Sequence, residues 1–428
     1  MSLTSKALGH NVVKRIIVGS FWSLFGTATG KFFILLSGIV CARILGSIPY
    51  GQLGLIRSTI AMLIVVGSAG FGVTASKYIA EFRASAKLDE ICAIAAVTRL
   101  SAIIFGAIIS ALAICFSAPI ASAMLHAPEL AFDLRCGALL LFFSIYNASQ
   151  DGILAGFENF KAIGLNTLYT GIAEFAFIVA GAYYGGVAGA ICGYGLSILM
   201  LTILNSRSIR TTLRNSGIPT ATAKIKRRHI RLLWTFSLPA ALCSIIVVAT
   251  FWLLKTMLVR HCGFAQLGIY EAADQWKVIM LYIPSALSSI LLPILSSHIG
   301  SGADTGRLLR YNMAVNIIIA ILIATPIILF SSRIMAIYGE GFENPHPLII
   351  LAASTVFTTA ALVTTTALTS MARVWLSLCF QILWSATLLI SAHLLFSRGL
   401  GAEAAAWAIL ISYFVLAVSQ MFVMKKSR

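Results

Sequence analysis

The sequence predicts an all-α polytopic membrane protein of about twelve transmembrane helices, arranged as two parallel-repeat six-helix bundles around a central cavity. Three observations predict it. Hydrophobic residues make up 59% of the 428-residue chain and charged residues 11%, with a mean hydropathy of +0.94, whereas a soluble domain carries roughly 25% charged residues. Apolar runs of about 20 residues, long enough to cross a hydrocarbon core of about 30 Å, recur along the whole chain. A short motif also returns at half the chain length: "YGQLGLIR" (Tyr50 to Arg57) reappears 214 residues later as "FAQLGIYE" (Phe264 to Glu271).

The runs cover 16–42, 52–76, 91–117, 131–156, 162–184, 187–206, 232–259, 266–295, 311–331, 347–371, 374–396 and 403–424. The short segments between them leave no room for a soluble catalytic domain. The first run, after Lys14 and Arg15, exceeds the 7–15 residue apolar core of a cleavable signal peptide and is expected to remain as a span. "RILGSIPYG" closes that span, with Gly46 as the left-handed cap and Pro49 and Gly51 turning the chain. Gly185, Gly189 and Gly193 in "GGVAGAICGYG" form a row of small residues that favours close helix contact in lipid. "DGILAGFENF" (Asp151 to Phe160) falls opposite "TTALTSMARV" (Thr365 to Val374) at the same offset of 214, each ending a span before a short turn. The expected organisation is an N-terminal bundle over 1–206, a basic cytoplasmic linker over 207–231 and a C-terminal bundle over 232–428. Because six is even, both bundles enter the membrane in the same direction, as parallel repeats do, with the substrate site between them. "GFGVTA" (Gly70 to Ala75) only superficially fits a dinucleotide fingerprint, since it lies inside a span with no strand before it.

The formal net charge of +17 is distributed as in a membrane protein rather than a nucleic-acid binder. With both termini cytoplasmic, 21 of the 31 lysines and arginines fall on the cytoplasmic side and five on the outer side. That bias sets the orientation by the positive-inside rule, and the linker "NSRSIRTTLRNSGIPTATAKIKRRHIR" (Asn205 to Arg231) meets anionic lipid headgroups. The eight cysteines are scattered singly without a CxxC pair and read as small packing residues. Only His393 among the histidines falls in a span, so neither a metal site nor a cofactor is expected.

Five cations remain inside spans (Lys31, Arg57, Arg99, Lys255, Lys277), with four acids (Asp151, Glu174, Glu271, Asp274). At roughly 2.5–3.5 kcal/mol for each central charge, nine lipid-facing charges would cost on the order of 25 kcal/mol, so they face protein or water. Arg99 lies near the inner end of its helix and can snorkel. Asp274 and Lys277 can pair at i, i+3. Lys31 lies twelve residues before Arg43, about 18 Å from the outer end and near the midplane at 1.5 Å per residue. Arg57 is nearer the outer surface and opens on the same space. Arg57 and Glu271 are equivalent positions of the repeat carrying opposite charge, which suits an anionic substrate together with a coupling cation or a gate.

The stretch Ser20 to Phe82, with "ARILG", the following "YG" and "SKYIAEF" at the end of the second span, resembles the opening of bacterial O-antigen and polysaccharide flippases, the polysaccharide transporter family of the multidrug/oligosaccharidyl-lipid/polysaccharide exporter superfamily. "GSIPYG" departs from the family pattern, in which a proline and an acidic residue directly follow the glycine. The resemblance implies two six-helix bundles that alternately expose a central cavity. It also implies translocation of undecaprenyl-diphosphate-linked oligosaccharide, an O-antigen or related repeat unit, across the bacterial inner membrane. Lys31, Arg57, Lys255 and Lys277 are then candidates for binding the diphosphate, since ammonium and guanidinium groups give charge-assisted hydrogen bonds to phosphate. Asp151, Glu174, Glu271 and Asp274 are candidates for coupling to H+ or Na+ or for gating, and the polysaccharide polymerase machinery is a candidate partner.

A multidrug or cation exporter of the same superfamily is the main alternative, opposed by the lysines near the midplane. A peptidoglycan-precursor flippase would add two further spans. An enzyme acting on lipid-linked sugars would need a large outer loop, and the longest outer segments, around "SAPIASAMLHAPEL" and "SSRIMAIYGEGFENPHP", are short. The protein is therefore expected not to be an enzyme.

Overall fold

The computed structural model describes residues 25–85, 87–124, 127–217, 225–288, 305–371 and 373–426. Residues 16–24 of the first apolar run, 218–224 of the basic linker and 289–295 of the eighth run lie outside the described residues. All the long elements are helices: α1 (Phe25–Leu45), α2 (Ser47–Ser68), α3 (Phe71–Ala84), α4 (Leu88–Cys115), α5 (Ala131–Gly156), α6 (Phe160–Asn215), α7 (Arg227–Met280), α8 (Thr305–Leu329), α9 (His346–Ser370), α10 (Val374–Phe396) and α11 (Gly401–Lys426).

Glycines set where these helices fold back. Helix α6 turns at Gly185 and Gly186 (φ 56, ψ −138), and α7 turns at Gly263 (φ 82, ψ 173). These conformations are essentially closed to residues with a Cβ, so each long helix comprises two of the predicted spans. The second predicted span is broken instead, α2 ending and α3 beginning across Ala69 (φ 42) and Gly70 (φ 73). Taking α2 with α3 and dividing α6 and α7 at their turns matches the twelve apolar runs over the described residues.

Contacts divide the chain into two compact units. The first comprises Met1–Ser37, Ile60–Ala121 and Glu129–Ile245, and the second Gly38–Thr59, Ser122–Pro128 and Ile246–Arg428.

In the first unit, backbone-to-backbone approach replaces side-chain bulk. A Cβ on Gly26 would fall 2.2 Å from the Gly164 carbonyl oxygen, and one on Gly152 would fall 2.1 Å from that of Gly72. Lipid tails are as apolar as leucine, so helices here gain from van der Waals packing and interhelical hydrogen bonds rather than from burial away from water, which favours small residues at the seams. Gly189 backs onto Gly181 and Gly193 onto Phe177, as the glycine row predicts. A Cβ on Gly185 would meet nothing within 4 Å, because the residue belongs to the turn. An apolar cluster that includes Ile79, Ile91, Ile94, Ile153, Leu154, Phe157 and Ile209 fills one end of this unit.

In the second unit, the segment after Gly46 (φ 81) starts a helix sooner than expected. Pro49 sits in the first turn of α2, where its missing N–H costs nothing. Gly51 is not a turn residue: a Cβ there would lie 2.1 Å from the Phe264 carbonyl oxygen, and one on Gly268 would lie 2.2 Å from that of Ser47. The two copies of the recurring motif thus pack against each other. Elsewhere in this unit, Trp384 of α10 packs at a tilt against Phe251 at 5.4 Å and against Tyr413 of α11 at 5.4 Å.

Candidate functional site

The turn at Gly263 brings the central charges together. Lys255 and Glu271 stand eight residues on either side of it, so folding α7 back on itself sets them opposite each other, about 12 Å along the helix from the bend at 1.5 Å per residue. Lys255 Nζ lies 2.7 Å from Glu271 Oε1, with the side chains 13% and 15% exposed. One turn further along, Lys277 Nζ lies 2.6 Å from Asp274 Oδ1, the i, i+3 pair expected from spacing. Tyr270, Asp274 and Lys277, at i, i+4 and i+7, share one face of the helix, and the Tyr270 hydroxyl faces the Asp274 carboxylate. Lys255 Nζ also sits 5.9 Å from the Tyr270 ring centre and Lys277 Nζ 5.1 Å from that of Phe251. Such cation–ring contacts help hold ammonium groups that have left water.

Helix α2 closes the cluster from the other side. Gly54 leaves room for the Glu271 side chain, whose Cγ a Cβ at Gly54 would meet at 2.6 Å. One turn later Arg57 is in electrostatic reach of both Lys255 and Tyr50. The second unit therefore holds three cations (Arg57, Lys255, Lys277) and two carboxylates (Glu271, Asp274) in one site. Beside it runs a polar and aromatic layer. Gln275 Nε2 donates to Tyr50 Oη at 2.7 Å, Tyr338 Oη donates to Gln275 Oε1 at 3.2 Å, and Phe342 packs on both tyrosines at 5.9 and 5.7 Å. Tyr50, Gln275, Tyr270 and Tyr338 are not apparent as site residues in the sequence, where buried tyrosines read as packing. The signal that could have found Tyr50 is the recurring motif, since Tyr50 opens it.

The remaining candidates belong to the first unit. Lys31 is half-buried on α1 and pairs with none of the described acids. Glu174 is buried, at 7% exposure. Asp151 ends a chain of amides: Asn205 Nδ2 donates to Asp151 Oδ1 at 2.8 Å, and Asn166 Nδ2 donates to Asn205 Oδ1 at 2.8 Å and to Ser208 Oγ at 3.1 Å. Neighbouring Gln150 donates to Ser206 Oγ at 2.7 Å. Asp151 also lines a cavity of about 690 Å³ with Ser68, Gly70, Gly72, Ser76, Lys77 and Ser244. The helix break at Ala69 and Gly70 opens onto that cavity, a place where unwound backbone in a membrane is tolerated. Lys77, counted from sequence among the cytoplasmic cations, is part of its wall. Arg99 is exposed on α4.

Among the described residues no three His, Cys, Asp or Glu side chains are grouped as a metal site would need. What the geometry provides is two ammonium groups held by carboxylates, with a guanidinium nearby, inside a helical membrane protein.

The family profile described as polysaccharide biosynthesis protein matches residues 16–298, more than half of the 428. The chain belongs to that family. The EPS I polysaccharide export inner membrane protein EpsE of Ralstonia solanacearum is 30% identical over 82 residues, a match that spans 19% of this chain and 19% of that relative's length. Three solved structures share the fold. An inward-facing multidrug resistance MATE family transporter of the MOP superfamily superposes with a TM-score of 0.76 at 16% identity, covering 93% of this chain and 94% of that one. An outward-facing structure of such a transporter gives 0.73 at 17% identity, covering 97% and 95%. A MOP superfamily transporter from Pyrococcus furiosus, for which reversed binding-pocket polarity suggests a different function, gives 0.74 at 16% identity, covering 97% and 95%. By family the chain is a polysaccharide biosynthesis protein, and its fold is the one these membrane transporters share.

Proposed function

We propose that this transporter flips undecaprenyl-diphosphate-linked oligosaccharide, an O-antigen or related repeat unit, across the bacterial inner membrane by alternating access between its two six-helix halves. Both termini lie in the cytoplasm on this reading. The observation that carries it is the site of three cations and two carboxylates in the second unit. A diphosphate is the natural counter-charge for Arg57, Lys255 and Lys277, because charge-assisted bonds to phosphate oxygens can replace those to carboxylate. Glu271 and Asp274 pair with the two ammonium groups, which keeps buried lysines neutralised. Substrate binding exchanges one set of anionic oxygens for another and frees the carboxylates to take a proton or cation. Lys31 is a further diphosphate contact. Asp151, with its amide chain and cavity, and buried Glu174 are coupling groups for H+ or Na+.

Extraction and sizing of lipid-linked oligosaccharide from cells lacking the protein tests this reading. Single repeat units should accumulate on the lipid carrier while surface polymer is lost. Unchanged intermediates with intact surface glycan would overturn it and turn attention to export of a cationic drug.

A further inference from the structure

The sequence spacing of 56 residues between Cys136 and Cys192 gives no hint of a pair, yet the fold sets the two at one level of neighbouring helices. This level follows from the register of α5 against the second half of α6. Leu140 packs on Gly195, Asn147 Nδ2 donates to Thr202 Oγ1 at 3.0 Å, and Gln150 Nε2 donates to Ser206 Oγ. Each of these pairs is 55 or 56 residues apart, so the two helices run parallel in a fixed register. One turn back from Leu140 and Gly195, that register meets Cys136 and Cys192. Cys192 is exposed and Cys136 half-exposed on the helix surface. Both sit near helix starts, five residues after Ala131 and six after Gly186, about 8–9 Å from those ends at 1.5 Å per residue.

We infer that Cys136 and Cys192 are a disulfide-forming site that staples the fourth predicted span to the sixth. Under the orientation proposed above, those helix starts face the oxidising side of the membrane, where disulfides form and persist; the inference rests on that orientation for its occurrence in cells but not for its geometry. The co-reactant is a disulfide reached from that side. One thiolate attacks a sulfur of the oxidant and releases one oxidant thiol. The second thiolate then attacks the mixed disulfide, forming the Cys136–Cys192 bond and releasing the other. Two protein thiols are oxidised and one oxidant disulfide is reduced to two thiols. Both cysteines lie within one unit, so the staple rigidifies that unit.

The test uses the full-length protein, purified in detergent, treated with oxidised glutathione, capped with maleimide and digested without reductant. A peptide joining Cys136 to Cys192, lighter by two hydrogens than its parts, is expected, with both residues losing maleimide label together. It should vanish in C136S and in C192S. Maleimide on both residues after treatment, or separate glutathione adducts without the joined peptide, would overturn the pair, and neither readout needs a variant to fold. In intact cells a membrane-impermeant maleimide, applied after mild reduction, should label both residues. The joined peptide in purified protein, with no labelling from outside in cells, would overturn the orientation and leave the pair standing.

Discussion

Replacing Glu271 by Gln removes one of two carboxylates from a site with three cations and leaves Lys255 facing an amide. Breaking a buried ion pair by removing one partner costs about 3–5 kcal/mol, while exchanging both partners for neutral residues of similar volume is near neutral. The pair side chains are 13% and 15% exposed, which argues for the lower end, about 3 kcal/mol. Unfolding entropy of about 2.1 cal/mol/K per residue over 428 residues comes to about 0.9 kcal/mol/K, so Glu271→Gln should lower the unfolding midpoint by about 3 °C. Lys255→Met should do the same, and the double variant Lys255→Met/Glu271→Gln should recover most of the loss. The assay is thermal unfolding in detergent for the four proteins of this double-mutant cycle. Additive losses in the double variant would refute the reasoning, because they would mean that Lys255 and Glu271 do not neutralise each other.

Glu271→Gln should also bind a polyprenyl diphosphate about tenfold more tightly than the parent, at the low end of what close charge pairs contribute, since one competing carboxylate is gone; equilibrium binding in detergent measures it, and weaker binding would speak against exchange of anions. Gly51→Val puts a branched side chain where even a Cβ would meet the Phe264 carbonyl oxygen at 2.1 Å, so about 1–3 kcal/mol of overpacking should appear as a midpoint lowered by about 1–3 °C. Gly263→Ala forces a Cβ into φ 82, ψ 173 and should cost about 1–3 kcal/mol, with the Lys255–Glu271 coupling weakened in the same cycle. Asp151→Asn can keep the bond from Asn205 and should leave the unfolding midpoint within about 1 °C, while transport in vesicles loses its dependence on an imposed ion gradient.

Most of the architecture is legible in the sequence because lipid imposes a simple rule: every backbone polar group is satisfied within a helix, so apolar length alone marks a span. The break at Ala69 and Gly70 is not, since a glycine inside an apolar run fits a continuous helix equally well. Gly51 reads as a turn because it follows a proline; its role as a contact surface depends on what α7 places opposite it. For the site, the cost of burying charge singles out the residues that need a partner or water inside a span. The pairing of Asp274 with Lys277 follows from helical spacing, whereas that of Lys255 with Glu271 needs the position of the turn. Lys255 and Glu271 look like members of opposite classes, one for substrate and one for coupling, until the fold at Gly263 joins them. The place of Lys77 in the cavity wall and the shared level of Cys136 and Cys192 are invisible for the same reason: sequence gives the depth of a residue but not its partner on the next helix.

The most direct test of the central claim is translocation of polyprenyl-diphosphate-linked oligosaccharide by the purified protein in vesicles, with the parent compared to Lys255→Met/Glu271→Gln/Asp274→Asn/Lys277→Met. That variant removes two cations with their two carboxylates, so the remaining fold carries no unpaired lysine from either pair. The parent should move the lipid-linked sugar to the opposite leaflet and the variant should not, at matched unfolding midpoints. Translocation by the variant at the parental rate would contradict the claim that these charges carry the diphosphate.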